Sequence, residues 1–157
     1  MAKWGRTDYK QLKQLQENLN KVSGQLDMTV FCMDCCHELA ARLLALVIPA
    51  TPVGKYPKSP GKKGGTLRRG WGAEKASAAR SYAESLPVEK SGLTYTIEIT
   101  NPVEYASYVE FGHRTRGGNG WVEGRYMLTV SEEKLERMSP MILEKLLRKK
   151  MKEVFDV

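Results

Sequence analysis

The sequence predicts an α+β fold with an N-terminal helical pair, a small antiparallel β-sheet and C-terminal helices. Three observations point there. Apolar residues recur at helical spacing from Leu12 to Val47, Leu93–Thr100 alternates apolar with polar positions, and the chain beyond Arg125 returns to a helical pattern. At 157 residues, with 41% hydrophobic and 27% charged residues, the chain matches one domain with its own core and not a disordered segment.

The elements follow in order. Leu12, Leu15, Leu19, Val22 and Leu26 are spaced 3, 4, 3, 4, which makes an apolar stripe on a helix that Thr7 or Asp8 can cap. Gly24 interrupts or bends this pattern. A second helix starts at an Asp27 or Thr29 cap and presents Val30, Met33, Cys36/His37, Ala40, Leu43/Leu44 and Val47 as its apolar face, with Pro49 and Pro52 ending it. The segment from Pro49 to Gly70 is rich in proline and glycine and reads as a long irregular loop.

Beyond the loop, a strand is expected within Leu67–Tyr82, Glu84–Gly92 as a hairpin turn, and Leu93–Thr100 as a strand with Leu93, Tyr95, Ile97 and Ile99 on one face. Asn101-Pro102 closes that strand and opens a short helix, Val103 to Phe111, stopped by Gly112. Arg125–Met138 and Ser139–Phe155 read as one or two final helices, Ser139-Pro140 supplying a cap and a first-turn proline. The single domain 1–157 thus divides into a helical region (7–49), a basic loop (50–70), a sheet, short helix and contact loop (71–128), and C-terminal helices (129–157).

Charge and composition limit the function classes. The most apolar run, Leu39–Ala50, is broken by Arg42 and Pro49 and falls short of the roughly 20 residues a membrane helix needs. The N-terminus lacks the apolar core of a secretory signal, so a soluble intracellular product is expected. Net charge is +7, and no Asp or Glu occurs between Leu39 and Ala73, where Lys55, Lys58, Lys62, Lys63, Arg68 and Arg69 cluster. Such a run either faces solvent or meets an anionic partner. GKKGGT within it is no phosphate-binding loop, because the glycine-rich turn before Gly-Lys-Ser/Thr is missing.

Chemistry is hard to assemble. Cys32, Cys35, Cys36 and His37 make half a zinc site without a second half, and they fall in a helical pattern where cysteine packs as a small hydrophobe; no metal and no cofactor are expected. Glu104, Glu110, Glu123 and His113 are scattered carboxylates and a histidine without a catalytic motif; a nuclease built on Glu110, His113 and Arg116 is the nearest arrangement, and no enzyme is expected. A small basic nucleic-acid-binding protein is the alternative reading, since Arg, Gly and aromatics crowd HRTRGGNGW.

Four strings in order carry a resemblance: IPATPV (48–53), GTLRRGW (65–71), ITN (99–101) and YASYVEFGHR (105–114). Together they resemble the small neck or tail-completion (head–tail joining) proteins of long-tailed bacteriophages. The chain departs from that pattern after Gly120, where GWVEGRYML replaces a proline-rich segment, and in its longer, more basic loop.

The resemblance implies a non-catalytic virion protein of the neck, assembled in the host bacterial cytoplasm. It implies a homo-oligomeric ring, often a hexamer, between the head connector or stopper and the tail terminator or tube proteins, with DNA passing through the channel and no membrane. On this reading Tyr105, Tyr108, Glu110, Phe111, His113, Arg114, Arg116, Trp121 and Arg125 contribute subunit or neck contacts, with Tyr105 and Tyr108, spaced i, i+3, equally able to anchor a short helix on the sheet as core residues. The basic loop (Lys55, Lys58, Lys62, Lys63, Arg68, Arg69) faces an acidic neighbour or DNA, and Leu67 and Trp71 are core or strand-edge packing residues and not contacts.

Overall fold

The computed structural model describes residues 13, 17, 20, 24, 27–55, 61 and 63–155. Of the first helical pattern, Lys13, Glu17, Asn20 and Gly24 are helical and exposed; the apolar stripe Leu12, Leu15, Leu19, Val22 and Leu26, like Lys58 and Lys62, lies outside the described residues.

The central element is α1 (Met28–Ala50). Asp27 caps it as expected: its Oδ1 accepts from Thr29 N at 2.9 Å and Val30 N at 3.2 Å, satisfying amides that the first turn leaves open. Pro49 sits inside the last turn, and the helix ends one residue later, before Pro52. The buried face is Cys35, Ala40, Ala41, Leu44, Val47 and Ile48, shifted from the expected one; Val30 is exposed and Glu38 is buried. Burying Leu44, Val47 and Ile48 stabilises the fold by roughly 1.5–3 kcal/mol each.

Where a strand was expected in Leu67–Tyr82, the chain is helical: α2 (Thr66–Arg69), a single 3-10 turn (Ala76–Ala78) and α3 (Ala79–Ser85). Alanine, a strong helix former, dominates this stretch, and Ala79 and Ala83, one turn apart, both bury against the core. The hairpin also moves. Strand β1 (Val88–Ser91) occupies residues expected to form the turn, and it pairs antiparallel with β2 (Thr94–Ile97) through a tight turn at Gly92-Leu93. Leu93, expected on the inner face, stands at the tip, 98% exposed.

A second antiparallel pair, β3 (Gly112–Arg114) and β4 (Trp121–Glu123), follows the short helix α4 (Ala106–Phe111), so two separate two-stranded sheets replace the single one expected. The chain ends in one continuous helix, α5 (Met127–Phe155), not two. Pro140 lies within it. Proline has no amide for the carbonyl four residues back, and the Ser139 hydroxyl donates to Glu136 O at 2.9 Å instead of capping a new helix.

The core joins α1 (Ala40 to Ile48) to Leu67, Trp71, Ala73, Ala79, Ala83 and Met127. Three of the sequence strings meet at one end of α1. The Thr51 hydroxyl donates to Val47 O at 2.7 Å and accepts from Trp71 Nε1 at 2.8 Å. Arg68 donates through Nε and Nη2 to Thr51 O at 3.2 and 2.7 Å, satisfying a carbonyl at the helix end. Asn101 Nδ2 donates to Leu67 O at 2.8 Å. Of the two expected roles for Leu67 and Trp71, core or strand edge, the structure shows the core.

Nearer the start of α1, the buried Glu38 carboxylate accepts from Arg42 Nε, one turn on, and from Arg80 Nη2 of α3. Burial alone would raise the Glu38 pKa, but the hydrogen bonds and charges of Arg42 and Arg80 outweigh it and hold the carboxyl below its ordinary value. A carboxyl depressed in the folded state contributes stability above its unfolded pKa, and that contribution is lost as pH falls through the lower folded value. Urea midpoints should therefore fall as pH drops below about 4.5, and Glu38→Gln should be less stable than wild type at pH 7 but show a shallower acid decline. Parallel pH profiles for the two proteins would exclude this role.

Candidate subunit-contact surface

The segment Asn101–Thr129 folds back on itself around Glu110. Asn101 Oδ1 accepts from Val103 N at 3.2 Å, and Ala106 N donates to Val103 O at 2.8 Å, which starts α4 three residues later than expected. Gly112 ends α4 with φ 87°, a left-handed value that a side chain would strain. Arg125 N then returns to Val109 O at 2.7 Å and Tyr126 N to Glu110 O at 3.0 Å. A Cβ on Gly124 would collide with Glu110 O, so α4 and the exit from β4 lie closer than any side chain allows.

Glu110 itself, expected among the contact residues, is 5% exposed and bonded within the protomer. Its Oε2 accepts from Leu128 N at 2.9 Å, and its Oε1 accepts from Thr129 N at 2.9 Å and Thr129 Oγ1 at 2.7 Å. The carboxylate thus caps the first turn of α5, where free amides and the helix dipole favour negative charge. Tyr126, just before that turn, has φ 48°, the one left-handed non-glycine among the described residues.

Around this anchor the aromatics turn outward. Tyr108, Phe111 and Trp121 are 58%, 59% and 55% exposed, and Tyr105 and Tyr126 are also exposed. The Tyr108 ring leans on His113 at 5.7 Å between centroids and 46° between planes. Tyr105, Tyr108, His113 and Arg125 line one cleft of about 380 Å³ together with Val53 and Val122. Phe111, Arg114, Arg116 and Trp121 stand outside the cleft lining; Arg114 pairs with Trp121 across β3–β4, and Arg116 lies at the hairpin tip, where Thr115 N donates to Gly120 O at 2.9 Å.

The basic loop divides. Lys55, Lys63 and Arg69 are exposed, with Arg69 Nη1 donating to Gly64 O at 3.4 Å, whereas Arg68 is half-buried and committed to Thr51 O and Pro49 O. The sequence reading missed the cleft walls Val53 and Val122, because nothing local links two valines seventy positions apart. It also missed the Glu38 cluster, for which the one-turn spacing of Glu38 and Arg42 was a usable signal.

The other chemistry-bearing groups are engaged in packing. His37 Nε2 donates to Leu86 O at 3.0 Å. Burial pushes the Cys35 thiol up to about 11, helped by Cys32, Cys36 and Asp34, and burial followed by Cys32 raises Cys36 as well. The thiolate that attacks or ligates is scarce at neutral pH in such a setting. Among the described residues no three His, Cys, Asp or Glu side chains are grouped to hold a metal ion, and no helix is long and apolar enough to cross a membrane.

Residues 13–112, more than half of the chain, match the family described as "Bacteriophage HK97-gp10, putative tail-component". No curated protein and no solved structure gave a match.

Proposed function

The chain belongs to the HK97-gp10-like family of bacteriophage tail components, and on that premise we propose that it is a structural protein of the virion neck. Copies form a closed ring, a hexamer in the simplest case, that joins the head connector or stopper to the tail terminator or tube. Its role is to hold surfaces together, without catalysis.

The observation that carries this reading is the outward-facing set Tyr105, Tyr108, Phe111 and Trp121, mounted on a segment fixed internally by Glu110. Aromatic residues are enriched in protein interfaces because they bury much area for little lost rotamer freedom. His113, Arg114, Arg116 and Arg125 stand beside them and add polar contacts at the rim. Glu110 supports this surface from within and does not belong to it. Lys55, Lys63 and Arg69, with Lys58 and Lys62 of the same loop, face an acidic neighbouring ring or the DNA in the channel.

Light scattering tests the ring directly. Alone or once tail components are added, the protein should form an assembly that holds several copies of the 17.7 kDa chain, and Tyr108→Ala with Trp121→Ala should reduce the number of copies. A persistent monomer even with tail components present would sink the reading. Salt-titrated DNA binding decides the role of the basic loop: affinity that falls steeply with salt supports DNA, and negligible affinity at low salt leaves the acidic protein neighbour.

A further inference from the structure

Resting on the ring reading, we propose that the β1–β2 hairpin tip of one copy, led by Leu93, docks in the cleft of Tyr105, Tyr108 and His113 on the next. A lone exposed leucine needs no explanation. This one is 98% exposed at the end of a tight hairpin, and the molecule carries a matching recess.

The recess has the chemistry the tip requires. Its volume of about 380 Å³ is more than ten times the share of one water molecule, ~30 Å³, and Val53, Val122 and the two tyrosines give it apolar walls. His113 Nδ1 is buried there, the one buried side-chain polar atom among the described residues with no hydrogen-bond partner. Buried polar groups are almost always paired, with protein or with ordered water, so this one has capacity for a further donor. In the tautomer protonated at Nε2, Nδ1 is an acceptor, and the tip carries donors at the Ser91 hydroxyl and the amides of Gly92 and Leu93.

Position and charge agree. The hairpin lies against the first turn of α1, where Tyr95 Oη donates to Thr29 Oγ1 at 3.3 Å and Lys90 Nζ donates to the same oxygen at 3.1 Å. The cleft lies beyond the last turn of α1, at Pro52 and Val53. The 23 residues between span roughly 34 Å at about 1.5 Å per residue. Two complementary surfaces at opposite ends of one rigid element make a heterologous, head-to-tail contact, the kind that closes into a ring. The hairpin end carries Asp27, Glu89 and Glu98 against Lys90, and the cleft end carries Lys55, Lys63, Arg69 and Arg125 against Glu123. Opposite net charges steer the two ends together and disfavour tip against tip.

The test places the photo-crosslinker p-benzoylphenylalanine at position 93 of the full chain and maps covalent adducts between copies. Adducts should fall on residues 52–54, 105 and 108. Adducts concentrated elsewhere, or none while wild type assembles, overturn the docking and leave the ring standing; no adduct with wild type fixed at 17.7 kDa even when tail components are present overturns both.

Leu93→Asp and Tyr108→Asp change exposed side chains, so each should keep the wild-type circular dichroism. Each alone should self-associate at least about 30-fold more weakly, the effect of losing one hot-spot residue. An equimolar mixture should stop at a dimer, because the pair retains one intact tip and one intact cleft. Wild-type assembly by both variants overturns the docking.

Discussion

Glu110→Ala should destabilise the protein by about 2–4 kcal/mol. The substitution removes the acceptor for two backbone amides, Leu128 N and Thr129 N, and for the Thr129 hydroxyl, all in the first turn of α5. A buried donor left without a partner costs about 1–3 kcal/mol, and a lost helix cap about 0.5–2 kcal/mol. The two overlap here, so they do not simply add. Glu110→Gln keeps one acceptor oxygen but turns an NH2 toward the amides, and it should fall between alanine and wild type. Urea unfolding followed by far-ultraviolet circular dichroism reads the loss, and faster amide exchange at Leu128 and Thr129 locates it. An alanine variant as stable as wild type would show that the cap contributes nothing.

Trp71→Ala should cost about 3–5 kcal/mol, the range for removing a large buried aromatic. Trp71 is 2% exposed, packed among α1, α2 and α3 residues of the core, and its indole N–H holds the Thr51 hydroxyl. Total stabilities of small domains are about 5–15 kcal/mol, so this single change removes a large part of the margin. Trp71→Phe keeps most of the apolar volume and loses the hydrogen bond, which should cost about 1–2 kcal/mol. Circular dichroism is the proper reading for both, because the fluorophore itself is altered. A Trp71→Ala protein with a wild-type urea midpoint would contradict the assignment of Trp71 to the core.

The sequence was most legible where a local rule decides the outcome. Asp27 caps α1 because a short acceptor precedes an apolar helical run, and Gly112 ends α4 because its φ of 87° favours glycine. Legibility failed where tertiary packing decides. Ala79 and Ala83 report a close helix contact, which in sequence resembles neither a strong strand nor a full apolar stripe. Ser139-Pro140 has the form of a helix start, yet the helix runs through it because a hydroxyl replaces the missing amide as donor to Glu136 O. Leu93 fits the alternation of a strand, but Gly92 at φ 61° turns the chain just before it and carries it to the tip.

The site was half legible in the same sense. Residue type alone singles out Tyr105, Tyr108, Phe111 and Trp121, and their exposure leaves them free for contacts. Glu110 was grouped with them by proximity, but its side chain points the other way into the first turn of α5. A helix turns about 100° per residue, so Glu110 and its neighbours face different directions, and composition alone does not say which of them is inward.

The fully buried core is drawn from α1, from residues 67–83 and from Met127, and neither hairpin supplies a member of it. The demand to fold therefore rests lightly on both hairpins. Residues 88–97 and 112–123 can change from one phage lineage to the next with little effect on that core. A scaffold arranged this way can acquire new neighbours without first becoming unstable.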